Sequence, residues 1–493
     1  MLFDKITPEQ AGISSAEVAE FVRMLERHGA TTHSILMMKG ENLFAEYYWK
    51  PFDRKFRHRM YSQTKSYVSL AIGLLEEDGK LSLDDKLLDY FADKADGEVK
   101  KYLPDLTIRE MLMMSTAGGP SYWFTSKDPD RTHMYVNEAG GARPSGTLWE
   151  YDSAGSQVLA SLAEKLTGKP LMDFLRERIF NEIGTFQTAE ILKTRNNDSW
   201  GDSALVCTPR DMISGGRFVM NYGNWHGKQL LNEKYLREAT SRLVDNNETG
   251  FETALSHGYG YQIWRTEMDG FGFIGMGDQL TVCVPSKDLI FVITSDNQGF
   301  APIRTYILNG FFDRIARKMA DEPLPENPAA YADLMELTSN LRLRAVSGET
   351  ESPLIDKLNG VEYECAKNPM GWQNFKFGFD GTHGTLTYTN AQGEKVLPFG
   401  IGYNVFGKFP QLGYSNDHGG VRTTDGFMYD DAVSLAFRDD HKLMMRVQII
   451  DRYFGNFTMI FAFKGDEAVV TMSKTAEDFL GEYQGTALAK AKK

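Results

Sequence analysis

The sequence predicts an α+β domain over residues 1–322, a linker over residues 323–352 and an all-β, barrel-like domain over residues 353–493. Three observations support this. The chain of 493 residues exceeds what one hydrophobic core ordinarily holds. Helical periodicity alternates with strand patterns in the first two thirds, whereas short strands separated by turns fill the last third. A proline-rich stretch at 322–328 separates the two regions.

The first domain begins with a helix and a hairpin. Ser14 is a suitable N-cap for a helix within residues 1–30, where apolar residues recur at helical spacing. Apolar runs on either side of a turn at 39–42 predict a β-hairpin. The next helix begins near Ser62 and ends at Gly79, which suits a C-cap.

Helices and strands continue to alternate up to the linker. The periodicity predicts helices over 158–166, 212–220 and 303–319. β-rich runs occur at 258–264 and 280–294. In the second domain the strand patterns are short and separated by turns, as in a sandwich or barrel.

Composition limits the classes of function. The net charge of -13 argues against a nucleic-acid partner and against an anionic membrane surface. The three cysteines are far apart, which predicts neither a disulfide framework nor a zinc site and favours a reducing, cytoplasmic location. We find no signal-peptide pattern and no apolar run long enough to span a membrane.

The most informative motif is Ser62-x-x-Lys65, followed by an apolar run up to Leu75. Residues three apart on a helix are neighbours, so the serine and the lysine would share one face. Burial disfavours a charged ammonium, and a neutral lysine can accept the serine proton. An ordinary helix start with an exposed lysine is the alternative, because one such motif is expected by chance.

Tyr151 precedes the helix over 158–166 and is a second candidate for proton transfer. A tyrosine near a lysine ammonium can lose its proton below its usual pKa of about 10. The alternative is a tyrosine that only packs. The Gly270-x-Gly272-x-x-Gly275 run lies late in the chain, between strands and without a following helix, so it does not indicate a dinucleotide site.

Several motifs taken together resemble the β-lactamase-related serine hydrolases. They are Ser62-x-x-Lys65, the 74–85 run, Met114 to Gly119, Gly146 to Gly168, Thr208 to Asp211 and Gly275-x-Gly277-x-Gln279, in that order. The resemblance covers about residues 5–320. It is to the class C β-lactamase-like group, which includes D-aminopeptidases, family VIII carboxylesterases and 6-aminohexanoate-dimer hydrolases.

The resemblance implies a fold and a set of roles. The fold would be an antiparallel sheet flanked by helices, with a helical lobe. Ser62 would be the nucleophile, Lys65 its activating partner and Tyr151 the general base and acid. The oxyanion hole would combine the N–H of Ser62 with that of Met276. The second domain resembles the lipocalin-like appendages of some members.

Two departures from the family pattern bear on the substrate. Ser153 stands where β-lactamases have Asn in Tyr-x-Asn, and Phe273-Ile274-Gly275 lacks the cation of the usual third motif. Both departures favour an ester or amide substrate over an antibiotic or a cell-wall substrate. The candidate substrate-binding residues are Tyr122, Trp123, Trp149, Ser153, Tyr261, Gly275 and Gln279.

The sequence therefore predicts a cofactor-independent and metal-independent serine hydrolase that acts on a small ester or amide through an acyl-enzyme. Three alternatives stay open: β-lactamase or D-amino-acid peptidase activity, a non-catalytic binding protein that keeps the pocket, and a small-ligand binder that uses the C-terminal barrel. The sequence does not fix the oligomeric state, and a homo-oligomer is one of the options.

Overall fold

The computed structural model describes residues 3–120, 126, 128–247, 253–299, 302–414, 428–477 and 479–492. The chain divides into two compact units, Met1–Arg342 and Leu343–Lys493. This division falls inside the predicted linker. Part of that linker is a helix of the first unit, which begins at Pro328 and is capped by the side chain of Asn327.

The first unit consists of short and medium-length helices and strands. Its strands are β1 (Asp4–Lys5), β2 (Thr32–Lys39), β3 (Asn42–Tyr48), β4 (His58–Arg59), β5 (Glu190–Ile191), β6 (Leu205–Cys207), β7 (Asn224–Trp225), β8 (Lys228–Gln229), β9 (Trp264–Arg265), β10 (Phe271–Gly275), β11 (Gln279–Val284) and β12 (Leu289–Ser295). Its helices are α1 (Ser15–His28), α2 (Thr64–Glu77), α3 (Leu87–Phe91), α4 (Ile108–Leu112), α5 (Arg131–Glu138), α6 (Ser153–Thr167), α7 (Leu171–Leu175), α8 (Asn181–Ile183), α9 (Pro209–Met220), α10 (Glu233–Ala239), α11 (Pro302–Gly310) and α12 (Pro328–Ser339). Single 3₁₀ or π turns lie at Tyr61–Gln63, Ala92–Lys94, Leu103–Asp105, Arg176–Phe180, Thr253–Leu255, Pro285–Lys287 and Phe311–Ala316.

A seven-stranded sheet in the order β1-β3-β2-β12-β11-β10-β9 organises the described part of the first unit. Its pairings are antiparallel except for β1 with β3. Successive side chains of a strand point to opposite faces, and both faces are covered. Ile35 packs in the core that contains α1 and α11, whereas Leu36 packs in the core that contains α2 and α9. The predicted α+β class, with helices on both faces of an antiparallel sheet, is confirmed.

The predicted strand at 258–264 is wrong over most of its length. Only Trp264–Arg265 forms a strand, and the preceding residues form a turn closed by a hydrogen bond from the Gly260 N–H to the Ile263 carbonyl. Gln262 in this turn has a φ of 57°, a left-handed conformation that a strand residue does not adopt.

The second unit is a closed barrel preceded by helix α13 (Leu354–Leu358). Its strands are β13 (Glu362–Cys365), β14 (Asn374–Asp380), β15 (His383–Asn390), β16 (Gly393–Ile401), β17 (Val405–Lys408), β18 (Asp430–Asp439), β19 (Lys442–Ile450), β20 (Phe454–Lys464), β21 (Glu467–Thr475) and β22 (Gly485–Ala491). The order is β16-β15-β14-β13-β22-β21-β20-β19-β18, and β16 closes the ring by pairing with β18. The predicted barrel-like domain is therefore confirmed as nine closing strands in the described residues, with β17 paired to β18 beside them.

In the part of the chain that the structure describes, no helix combines the length and the apolar character needed to cross a membrane.

Candidate active site

Ser62 lies in a tight turn that leads directly into α2. The turn Tyr61–Gln63 is a 3₁₀ helix, so the α-helix itself begins two residues after the serine. Tyr61 has a φ of 49°, and such left-handed conformations cost a residue with a side chain on the order of 1 kcal/mol. The turn leaves Ser62 half-buried, whereas α2 is buried from Thr64 to Leu75.

Lys65 points back to the serine from the first turn of α2. Its side chain is buried, and its Nζ donates a hydrogen bond to Ser62 Oγ at 3.0 Å. The same Nζ donates to the carbonyl oxygen of Asp202 at 2.6 Å. It also lies 5.1 Å from the centroid of the Tyr151 ring. The structure thus brings together Ser62, Lys65 and Tyr151, which the sequence analysis selected from positions up to 89 residues apart (151 − 62).

The ring of Tyr151 is held by an aromatic cluster. It stacks on Trp264 with a centroid distance of 5.7 Å and an interplanar angle of 25°. Trp149 lies 6.3 Å from Tyr151 and packs against Tyr259 and Trp264, both at 5.6 Å. The cluster fixes the plane of the Tyr151 ring.

Asp152 fixes the backbone that carries Tyr151. It is the N-cap of α6, and its Oδ1 accepts from the Gly155 N–H at 2.9 Å. Its Oδ2 accepts from the hydroxyl of Tyr135 at 2.9 Å and from that of Thr116 at 3.0 Å. Burial raises the pKa of this carboxyl, although its three hydrogen-bond donors act in the opposite direction.

The hairpin between β10 and β11 lies against the Ser62 turn. A Cβ on Gly275 would fall 2.2 Å from the carbonyl oxygen of Met60, so only glycine allows this approach. Met276 begins the connection between the strands, and the predicted oxyanion donor is its N–H. Gln279 braces the connection by donating to the carbonyl of Met276 at 3.3 Å, and its side chain is fully buried. The structure places Gln279 as a support of the hairpin, and its predicted contact with substrate stays a prediction.

A cleft of about 460 Å³ opens beside Tyr151. Ser153 lies in its wall, together with Glu150 and the 116–120 segment. Its lining comprises Thr116, Gly118, Gly119, Pro120, Ala142, Glu150, Tyr151, Asp152, Ser153 and Ala154.

The other candidate substrate-binding residues differ in their placement. Trp149 and Tyr261 are each 1% exposed. Trp149 packs against Tyr151, and Tyr261 accepts a hydrogen bond from Arg109 and donates one to Glu238. A role in core packing is sufficient to explain the contacts of Trp149 and Tyr261. The assignment of these two residues to the pocket wall stays a prediction. Tyr122 and Trp123 lie outside the described residues.

No group of His, Cys, Asp and Glu side chains in the described residues is arranged to hold a metal ion.

The sequence model of the family described as Beta-lactamase matches residues 18–307, which is more than half of the chain. The chain belongs to the β-lactamase family. This family member is 24% identical over 313 residues to a 6-aminohexanoate-dimer hydrolase from Paenarthrobacter ureafaciens, covering 59% of this chain and 79% of the relative. The family and this relative place the chain among hydrolases.

Solved structures share the fold of this β-lactamase family member. A candidate 6-aminohexanoate-dimer hydrolase from Bacillus anthracis aligns with a TM-score of 0.54 at 20% identity, covering 66% of this chain and 89% of that one. An octameric penicillin-binding protein homologue from Pyrococcus abyssi aligns with a TM-score of 0.50 at 14% identity, covering 96% and 99%.

Two supports of the site were missed by the sequence analysis. Trp264 was predicted only as part of a strand, yet it stacks on Tyr151. Gln262, in the adjoining turn, accepts from Ser66 on α2 at 2.7 Å and from Ser156 on α6 at 2.6 Å. The one available signal was their position in the aromatic, glycine-containing run at 258–264.

Proposed function

We propose that this chain is a serine hydrolase that cleaves an ester or amide bond of a small substrate through an acyl-enzyme on Ser62. The observation that carries the proposal is the 3.0 Å hydrogen bond between Lys65 Nζ and Ser62 Oγ. A serine hydroxyl becomes an effective nucleophile only when a base lies within hydrogen-bond reach. The buried amine beside a half-buried hydroxyl meets this requirement.

The proposed reaction has two halves. Ser62 Oγ attacks the substrate carbonyl carbon while its proton passes to the Lys65–Tyr151 pair, and the negative charge on the carbonyl oxygen is held by the N–H groups of Ser62 and Met276. The same pair then protonates the leaving alcohol or amine, which departs as the acyl-enzyme forms. Water, deprotonated by this pair, attacks the acyl carbon and releases the acid, and the proton returns to Ser62.

The surroundings of the site support an ester or amide without an obligatory carboxylate. The third-motif strand presents Phe273-Ile274-Gly275, and all three residues are buried in the sheet. A cation for a substrate carboxylate is therefore not supplied from this strand. The relative named 6-aminohexanoate-dimer hydrolase is consistent with an amide among the substrates. β-Lactam and D-amino-acid substrates are the alternatives that a substrate panel would separate.

We also propose that the chain forms a homo-oligomer and that it works in the cytoplasm. The octameric homologue, which aligns over 96% of this chain, supports the first statement. The cysteine usage of the sequence supports the second.

The decisive test is covalent labelling of the full-length chain with a fluorophosphonate, measured by intact mass. We expect one adduct on the wild type and none on Ser62→Ala. Hydrolysis of short p-nitrophenyl esters should fall by roughly a thousandfold or more in Ser62→Ala. Ser69→Ala is the matched control, because Ser69 lies on α2 and its hydroxyl contacts Tyr235 rather than Lys65.

Two results would contradict the proposal. One is a wild-type protein that takes no label and hydrolyses neither esters nor amides, which would favour the non-catalytic binding protein. The other is labelling that persists in Ser62→Ala, which would place the nucleophile elsewhere.

A further inference from the structure

The loop Trp200–Ser203, which accepts a hydrogen bond from Lys65, is contacted by other side chains on two sides. Asp202 offers its carbonyl oxygen to Lys65 Nζ at 2.6 Å, and it lies between Trp200 and Ser203 in the loop that leads to β6. A carbonyl can fix the direction of an amine only when its own backbone is fixed. The contacts of this loop therefore bear on the orientation of Lys65.

Arg59 holds the loop on the side of the nucleophile. Its side chain is fully buried, its Nε donates to the carbonyl of Ser203 at 3.0 Å, and its Nη2 donates to Ser203 Oγ at 2.9 Å. These two bonds fix the residue that directly follows Asp202. A planar guanidinium that donates two hydrogen bonds to one residue fixes the orientation of that residue and also stabilises it.

The same guanidinium also contacts the residue before Ser62. It lies 4.4 Å from the centroid of the Tyr61 ring and 4.7 Å from that of Trp200, within the range of cation–π attraction. Tyr61 is the residue with the left-handed backbone at the start of the nucleophile turn. Arg59 therefore contacts both the residue that precedes Ser62 and the residue that follows Asp202.

A second arginine holds the other side of the loop. Arg131 lies 4.6 Å from the Trp200 ring, so the indole contacts two cations. Its Nη1 lies 3.7 Å from Oδ1 of Asp202. The Asp202 side chain is 1% exposed, and among the described residues its carboxylate oxygens accept no hydrogen bond. Arg131 thus provides the charge that faces this buried carboxylate.

We propose that Arg59 and Arg131 are positioning residues that set the Ser62–Lys65 geometry through the Trp200–Ser203 loop. This inference rests on the proposed function. Arg59 aligns the Tyr61–Ser62 turn with the Asp202 carbonyl, and Arg131 anchors the Asp202 side chain. Displacement of a catalytic group by about 1 Å can cost on the order of a hundredfold in rate. The loss of either arginine should therefore slow catalysis at each site without weakening substrate binding.

The experiment compares Arg59→Met, Arg131→Met and Ser203→Ala in the full-length chain. The rate of ester hydrolysis is divided by the number of sites that a fluorophosphonate labels at completion. Unfolded protein, which takes no label, is therefore excluded from the rate per site. We expect kcat per labelled site to fall by roughly 10- to 100-fold in Arg59→Met. A smaller fall is expected in Arg131→Met, and about threefold in Ser203→Ala, which removes one hydrogen bond. KM should stay within about twofold, because neither arginine lines the cleft.

Arg57→Met is the matched control. Arg57 lies two positions before Arg59 but contacts the carbonyl of Thr188 and the side chain of Glu190. Its kcat per labelled site should match that of the wild type.

The outcomes separate this inference from the proposed function. An unlabelled, inactive wild type would overturn both. A labelled wild type with unchanged kcat per site in all three variants would overturn only the positioning role, because a purely structural arginine lowers the number of sites and not their rate. If Arg59→Met does not fold, Arg131→Met and Ser203→Ala still decide the question.

Discussion

Tyr151 is held by its ring, whereas its hydroxyl carries the proposed chemistry. Tyr151→Phe keeps the stack on Trp264 and removes only the oxygen. We expect kcat/KM for ester hydrolysis to fall by roughly 10²- to 10⁴-fold, the usual range for loss of a general acid–base group. The melting temperature should stay within about 1 °C, because the packing is unchanged.

Tyr259→Phe is the control for this substitution. Tyr259 belongs to the same aromatic cluster, at 5.0 Å from Trp264, and its buried hydroxyl has no hydrogen-bond partner among the described residues. Its removal should leave activity unchanged. Full activity in Tyr151→Phe would remove this tyrosine from the mechanism and leave proton transfer to Lys65 alone.

At the scale of single residues, the sequence analysis selects those members of the candidate site that local spacing or a motif encodes. Ser62 and Lys65 follow from helical geometry, and Tyr151 follows from a motif. Arg59 could not be found in this way, because its partner Ser203 is 144 positions away. Trp264 was missed for the same reason, since its contact with Tyr151 depends on tertiary packing.

Gln262 links three helices around the site. Its side-chain amide donates to the carbonyls of Met111 and Leu112 at the end of α4, at 2.9 and 3.0 Å. Its side-chain oxygen accepts from Ser156 on α6, and its backbone carbonyl accepts from Ser66 on α2. Gln262→Leu keeps the approximate volume but removes the three side-chain hydrogen bonds to Met111, Leu112 and Ser156, each worth about 1 kcal/mol. We expect a loss of about 3 kcal/mol in the free energy of unfolding, together with reduced activity.

Gln229→Leu is the matched control for Gln262→Leu in urea denaturation. The Gln229 amide also donates to two carbonyls, those of Tyr222 and Leu231, but its side chain is exposed and water can replace it. The loss there should stay below about 1 kcal/mol. Equal losses at the two positions would show that burial does not determine the effect.

At the scale of elements, prediction succeeded where a clear hydrophobic pattern ended at a cap residue or a turn. The helix after Ser14, the hairpin around residues 39–42 and the strands of the barrel are all present. The predicted strand over 258–264 is wrong over most of its length. Its residue types favour strands, whereas its backbone is bent by contacts of Gln262 with distant helices. Tertiary hydrogen bonds override local propensity at such positions.

At the scale of the whole molecule, each unit has its own core. In the barrel, inward side chains from strands that are not neighbours meet across the interior, as Phe377 of β14 and Phe461 of β20 do at 4.9 Å. Further fully buried members of this interior are Leu386, Leu397, Leu435, Met445 and Met459. The barrel interior is therefore packed with side chains, which disfavours the interpretation of the chain as a ligand binder that uses the barrel. Two separate cores also predict two unfolding transitions in calorimetry of the full chain.

Asp431 makes the barrel transition sensitive to pH. It lies on β18 on the same face as the buried Val433 and Leu435, and its Oδ2 has no hydrogen-bond partner among the described residues. Burial raises its pKa to about 7, whereas an unfolded Asp has a pKa of about 3.9. Between these values the folded state binds the proton and the unfolded state does not. Stability is therefore lost as pH rises through this window, and the loss is complete above pH 7 or so.

Between pH 5 and pH 8 the Asp431 carboxyl alone should lower the free energy of unfolding of the barrel by about 2–3 kcal/mol. The transition temperature of the barrel should therefore fall. The transition temperature of the first unit depends on other titrating groups. Asp431→Asn removes the titration and should abolish this component. Asp439→Asn is the control, because Asp439 also lies on β18 but pairs with Lys442 and is half-exposed, so this variant should keep the wild-type slope. A wild-type slope that persists in Asp431→Asn would assign the pH dependence to another group.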